Sequence, residues 1–177
     1  TREAGRMWTS LRPLFDPMNL AAYLAWLAIG MEVWSSTPRG TGLLPEPWLW
    51  PALVALHALV LLLFLGCQFR EPKETTRRWL VWAQVAIALL MIASARYTSV
   101  PVLLIIAMAQ NAQLYSPRWL AAIFLGVNTA TYLIFRFTWQ ASAPGLFLAI
   151  NSSFQRFATL TSRYAVTAER SRAARAL

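Results

Sequence analysis

Long apolar runs alternate along the chain with short polar stretches rich in glycine, proline and arginine. The runs fall at 18–36, 48–68, 78–95, 98–115, 118–136 and 140–162, and each approaches the length of about 20 residues that one helical membrane crossing needs. Helix breakers fill the connections: TPRGTGLLPEP after the first run, REPKETTRR after the second, SPR after the fourth and QASAP after the fifth. Ahead of the first run, TREAGRMWTSLRPLF sets Trp8, Leu11 and Phe15 at helical spacing among Arg2, Arg6 and Arg12. That pattern fits a short helix lying on a membrane surface and ended by Pro13 and Pro17, and it fits a basic tail equally. The pattern as a whole predicts an all-α fold, a polytopic transmembrane helix bundle of about six spans. Residues 1–17 form its interfacial segment, 18–162 the bundle, and 163–177 the start of a cytoplasmic helix. The sixth run is the most polar, since Asn151, Ser152, Ser153, Gln155 and Arg156 follow its short apolar core. A five-span arrangement would leave it on the surface.

Composition narrows the class. Hydrophobic residues make up 58% of the 177 and charged residues 13%, the latter roughly half the share of a soluble domain. Six crossings use about 120 residues and leave no room for a separate soluble domain. Intrinsic disorder is excluded, because it requires low hydrophobicity. The net charge is +9, and 15 of the 16 basic residues are arginine. In a soluble chain that excess points to nucleic acid; among apolar runs it points to topology, so no nucleic-acid partner is expected. With both termini in the cytoplasm, Arg2, Arg6, Arg12, Arg70, Lys73, Arg77, Arg78, Arg118, Arg156, Arg163, Arg170, Arg172 and Arg175 lie inside, against Arg39, Arg96 and Arg136 outside. Thirteen against three predicts a multi-pass membrane protein with that orientation. Tryptophans agree, with Trp34, Trp48, Trp50 and Trp139 at the outer boundary and Trp79 and Trp119 at the inner one. No signal peptide is expected, and Thr1 fits a start left by removal of an initiator methionine.

Candidate chemistry is confined to polar residues inside the runs. The sequence has no phosphate loop, nucleophile elbow, metalloprotease helix or Cys pair. One cysteine, Cys67, forms no internal disulfide, and one Cys with one His is too few for a metal site. No cofactor is expected, and haem held by paired histidines is excluded within one chain. Glu32, in IGMEVW, is a candidate for binding a proton, a cation or a positive signal, or simply reaches the outer interface. His57, in VALHALV near a midplane, is a candidate switch or a neutral hydrogen-bonding residue of the bundle. Gln84, Gln110, Asn111 and Gln113 map to the cytoplasmic half, and Asn128 and Asn151 nearer the middle. They line a polar inner cavity for a small ligand, or they hold helices together.

The last segment carries a longer periodicity. Phe147, Ile150, Phe154, Phe157, Thr161, Tyr164 and Ala168 recur at intervals of three and four, a heptad seam suited to pairing two copies of the helix. The tail RYAVTAERSRAARAL continues it without Gly or Pro. The seam is still in phase as Leu177 is reached, so a further domain is expected beyond it.

These features together resemble the membrane sensor region of bacterial histidine kinases, closest to the DesK-like type whose partners are NarL-type response regulators. The stretch PVLLIIAMAQNAQLYSPRWLAAIFLGVNTATYLIF resembles that family's later spans. The ending FATLTSRYAVTAERSRAARAL, with Ser152, Ser153, Thr159, Thr161 and Ser162 at the membrane exit, resembles the helix leading into its dimerisation and phosphoacceptor domain. The resemblance implies an input module lacking the catalytic half, acting as a homodimer and signalling through a coiled-coil-like linker. It implies a signal sensed in or near the bilayer: bilayer thickness or fluidity, a hydrophobic ligand, or another membrane protein. Two other classes stay open at this point. One is a small transporter subunit with Glu32, His57, Asn128 and Asn151 around a pathway; the other is an accessory or assembly subunit of a larger membrane complex. An integral membrane enzyme is the remaining class, without an obvious acid/base set.

Overall fold

The structure, a computed structural model, describes residues 17–35, 37–69 and 73–139. Five helices succeed one another in it: α1 (Pro17–Ser35), α2 (Glu46–Phe69), α3 (Glu74–Ser94), α4 (Val102–Asn111) and α5 (Pro117–Phe137). The expected all-helical class holds among the described residues, where the only extended pairing is an isolated bridge between Gly40 and Ala95. Prolines mark the helix starts. Pro17 and Pro117 are first helical residues, where a missing N–H costs nothing and the fixed φ already suits a helix. Pro101 directly precedes α4.

Three helices, α2, α3 and α5, are long and apolar enough to cross a membrane, and they coincide with the second, third and fifth expected spans. Six spans are not supported among the described residues. α1 covers the first expected span in 19 residues, but Asn19, Tyr23 and Glu32 dilute its apolar run and it falls outside that set. The fourth expected span, 98–115, is helical only over the ten residues of α4. At about 1.5 Å per residue that is about half of a hydrocarbon core. Pro101 and Pro117 bracket this element. Ser116 is held extended at φ −64° and ψ 157°, as a residue before proline prefers. The surface segment before Pro17, the sixth expected span at 140–162 and the cytoplasmic helix lie outside the described residues.

α3 is the centre of the bundle. Its buried positions Val81, Gln84, Val85, Ala88, Met91 and Ile92 follow the three-and-four spacing of one helical face. α2 and α4 pack against it, α1 closes a ring by touching α2 and α4, and α5 rests on α3. Ile29 and Val33 of α1, Leu53 and Val60 of α2, and Leu103 and Leu104 of α4 complete the core. α5 holds mainly by its second half, through Val127, Asn128, Thr131 and Phe135.

The two ends of the bundle differ. At one, the connection before α2 pairs with the connection after α3. The Thr41 N–H donates to the Ser94 carbonyl at 3.1 Å, and the Arg96 N–H donates to the Arg39 carbonyl at 3.1 Å. The Thr41 hydroxyl adds bonds to the Ala93 and Ser94 carbonyls. Lys73, Arg77, Arg78 and Arg118 gather at the opposite end, where Arg78 bridges Glu74 and lies over the Tyr115 ring. Every described charge sits within about one helical turn of a helix end or in a connection. Between the ends the outward side chains are mostly apolar, among them Leu24, Leu62 and Leu125, with Thr129 and Tyr132 of α5 also exposed, a surface suited to lipid. Trp34, Trp48 and Trp50 stand exposed at the bridged end, and Trp79 and Trp119 at the basic end, as interfacial anchors do. Trp139 departs from that expectation. It lies at the bridged end but is only 9% exposed, because its indole N–H donates to the Ile92 carbonyl at 2.8 Å and its ring packs edge-on against Phe135.

Candidate functional site

Glu32 has partners that its sequence neighbours do not reveal. Late in α1, its carboxylate accepts from the turn before α4: the Thr98 N–H and hydroxyl at 3.3 and 3.2 Å, the Ser99 N–H at 3.0 Å, and the Ser99 hydroxyl. The Val102 N–H then donates to the Ser99 carbonyl and begins the helical winding. A negative charge beside a helix start is favourable, so Glu32 ties α1 to the beginning of α4. Close by, the buried Tyr97 hydroxyl donates to the Val33 carbonyl at 3.4 Å. Burial, and secondarily the Glu32 carboxylate, raise the Tyr97 phenol above its ordinary pKa.

His57 is fully buried in α2. Its ring stacks on Trp26 with centroids 4.4 Å apart and 10° between planes, and the Trp26 indole N–H donates to the His57 backbone carbonyl at 3.0 Å. Gly30 lets the ring approach: a Cβ there would stand 3.0 Å from Nε2. Neither ring nitrogen has a hydrogen-bond partner among the described residues. His57 therefore fills the α1–α2 seam as a flat aromatic plate.

The amides do converge. The Gln84 side-chain NH2 of α3 donates to the Gln110 Oε1 of α4 at 2.9 Å, with both side chains buried. Beside Gln110 a cleft of about 210 Å³ opens between α1, α2 and α4. Its α1 wall is Asn19, Ala21, Ala22 and Ala25; Phe64 and Gln68 come from α2, and Ile105, Ile106 and Ala109 from α4. The polar rim lies toward the basic end. There Gln68 donates to Asn19 at 3.2 Å, and Arg77 donates to the Gln113 Oε1 at 2.6 Å. A narrow recess of about 10 Å³, lined by Tyr23, Trp26 and Gln84 among others, adjoins the cleft along Ala22, Phe64 and Ile106. The Tyr23 hydroxyl, Gln84 Oε1 and Gln110 Nε2 are buried without partners among the described residues, an arrangement costly unless something meets them.

Of the expected polar set, Gln84, Gln110 and Gln113 come together here. Asn111 is buried nearby, its side-chain oxygen unpartnered among the described residues. Asn128 lies apart, bonded to the Phe124 carbonyl of its own helix at 2.8 Å. Asn151 and the whole seam from Phe147 to Ala168 lie outside the described residues. Sequence reasoning missed Tyr23, Asn19 and Gln68 as members of the site. The available signal was the run of alanines at 21, 22 and 25, where small side chains leave space on a helix face. No group of three metal-ligating side chains occurs among the described residues. No protein-family model, curated protein or solved structure matches the chain.

Proposed function

We propose that the chain is the membrane-embedded sensor domain of a two-component histidine kinase, of the DesK-like type, in a bacterial inner membrane with both termini cytoplasmic. A homodimer passes a bilayer-derived or hydrophobic signal through the last helix to a cytoplasmic kinase core. One observation carries this reading: the bundle keeps its charges at its ends and opens between α1 and α4 a side cleft lined by alanines and uncharged amides. Such a cleft suits reading a molecule dissolved in lipid. The fixed engagement of Glu32 with Thr98 and Ser99 weighs against an ion pathway through that residue. α4 forms one wall and is a short element of ten residues, so occupancy can bias how it sits against α3 and α1.

The test is autophosphorylation of the full-length protein in nanodiscs, with the reading frame after Leu177 examined for a histidine box and an ATP-binding domain. Inserting one residue after Arg163 turns everything beyond by about 100°, and is expected to uncouple kinase activity from the membrane. Inserting seven residues, about two turns, restores the phase and the coupling. A frame without those elements overturns the kinase reading.

A further inference from the structure

We infer that the α1–α4 cleft binds an uncharged, carbonyl-headed amphiphile from the bilayer, with the Gln110 side-chain amide as the donor to its carbonyl oxygen. The inference rests on the sensor reading for its consequence and on geometry for its chemistry. Gln110 is only 5% exposed, and its own oxygen is already occupied by the Gln84 amide. What it offers the cleft is the unpartnered Nε2. An amide nitrogen can only donate, so its complement is an acceptor. Gln84 acts as the positioning residue, since its bond to Oε1 fixes which edge of the Gln110 amide is presented.

The rest of the lining sets charge and size. Asn19, Gln68, Gln110 and Gln113 are neutral; the nearby Arg77 is not among the lining residues, one of its terminal guanidinium nitrogens is engaged with the Gln113 oxygen, and its buried Nε has no partner among the described residues. A carboxylate held at Gln110 would be desolvated with no cation in the lining of the cleft, which is expensive. A cleft of about 210 Å³ is smaller than the roughly 300–1,000 Å³ of sites that enclose a drug-sized ligand. It accepts a small head and the first carbons of a chain. Ala21, Ala22, Ala25 and Ala109 leave a path along which the rest of the chain remains in lipid.

The test uses the chain in nanodiscs with isotope-labelled 2-tridecanone, a single carbonyl on an apolar tail. Saturable binding is expected, with the bound carbonyl infrared band moved to lower wavenumber by the new hydrogen bond. Dodecane, the tail without the head, is not expected to compete. Laurate is expected to compete at least about tenfold more weakly than the ketone, and Gln110→Leu to weaken ketone binding about tenfold, the worth of one buried hydrogen bond. Gln110→Leu also orphans Gln84, so Ala109→Phe, which fills the cleft and leaves both amides in place, is the second variant and is expected to abolish saturation. Non-saturable uptake, binding unchanged in both variants, or preference for laurate would each overturn the inference. Ketone binding with a kinase output that follows neither the ketone nor bilayer thickness would leave this assignment standing and sink the sensor reading. Kinase output that follows bilayer thickness without ketone binding would do the reverse.

Discussion

Gly30 leaves the space that His57 fills, and the pair makes a sharp test at the level of single side chains. A Cβ at position 30 would press on Nε2 at 3.0 Å, so Gly30→Ala is expected to cost about 1–3 kcal/mol, as overpacking does. In a His57→Ala background the clash is gone, and the same change should gain up to about 1 kcal/mol of helix propensity. Thermal unfolding of the four proteins in detergent gives the coupling; additive effects would mean that the two residues do not touch. Glu32→Gln replaces an acceptor-only carboxylate with a group that turns an NH2 toward the donors of Thr98 and Ser99. Glu32 is partly exposed, so a loss of about 1–2 kcal/mol is expected, the lower range for hydrogen bonds to a charged group. Tyr97 connects to the same site through pH. Its raised pKa means that the neutral phenol is favoured by folding; this stability is complete below the ordinary tyrosine range and is lost as pH rises through the raised value. Tyr97→Phe is expected to flatten that alkaline loss of melting temperature, and Glu32→Gln to lower the Tyr97 titration midpoint in an ultraviolet difference titration. That Glu32 and His57 stand out was legible, because a carboxylate and an imidazole in apolar runs are conspicuous. Their partners were not, since Thr98 and Trp26 become neighbours only when α1 folds back against α4 and α2.

At the level of helices, hydropathy and proline report different things. The run at 98–115 has the apolar content of a crossing, yet Pro101 and Pro117 bound it and the helix between them is ten residues long. Turns at both ends carry the chain onward, with the Leu104 N–H bonded to the Pro101 carbonyl and the Tyr115 N–H to the Asn111 carbonyl. Counting apolar residues found the element, and the proline spacing held the information about its length. α5 shows the complementary case. Its apolar run at 118–136 was legible, but Trp139 counted among the interfacial tryptophans and instead anchors the helix end to α3. An anchoring indole and a lipid-facing one have the same sequence context; only the presence of a carbonyl within reach tells them apart. Trp139→Phe keeps a ring against Phe135 and removes the N–H to Ile92, so a loss of about 1 kcal/mol is expected. Trp119→Phe, at an exposed position, is expected to leave unfolding unchanged in detergent. Equal losses for the two would contradict the assignment of Trp139 to the core.

For the molecule as a whole, charge and packing make separate statements about topology, and one labelling experiment tests both. The distribution of arginines says which side of the membrane an end faces. The bonds of Thr41 to Ser94 and of Arg96 to Arg39 say which connections share an end, whatever side that is. In a Cys67→Ser background, single cysteines at Arg39 and Arg96 are expected to react alike with a membrane-impermeant maleimide, and cysteines at Lys73 and Arg118 to behave oppositely to them. This pairing does not depend on six spans. It needs only that α2, α3 and α5 each run from one end to the other and that the chain through α4 returns. Orientation is then read from which pair reacts in intact cells, and Arg39 and Arg96 are expected to be the accessible ones. If all four sites react in the reverse sense, the bundle stands and the charge argument fails, with the cleft rim beside Gln68 and Gln113 turned toward the outer leaflet. If Arg39 and Arg96 differ from each other, the pairing of the two connections is wrong. The turn that Glu32 holds would then be wrong with it, as would the α1–α4 wall of the cleft, because all three depend on the same return of the chain.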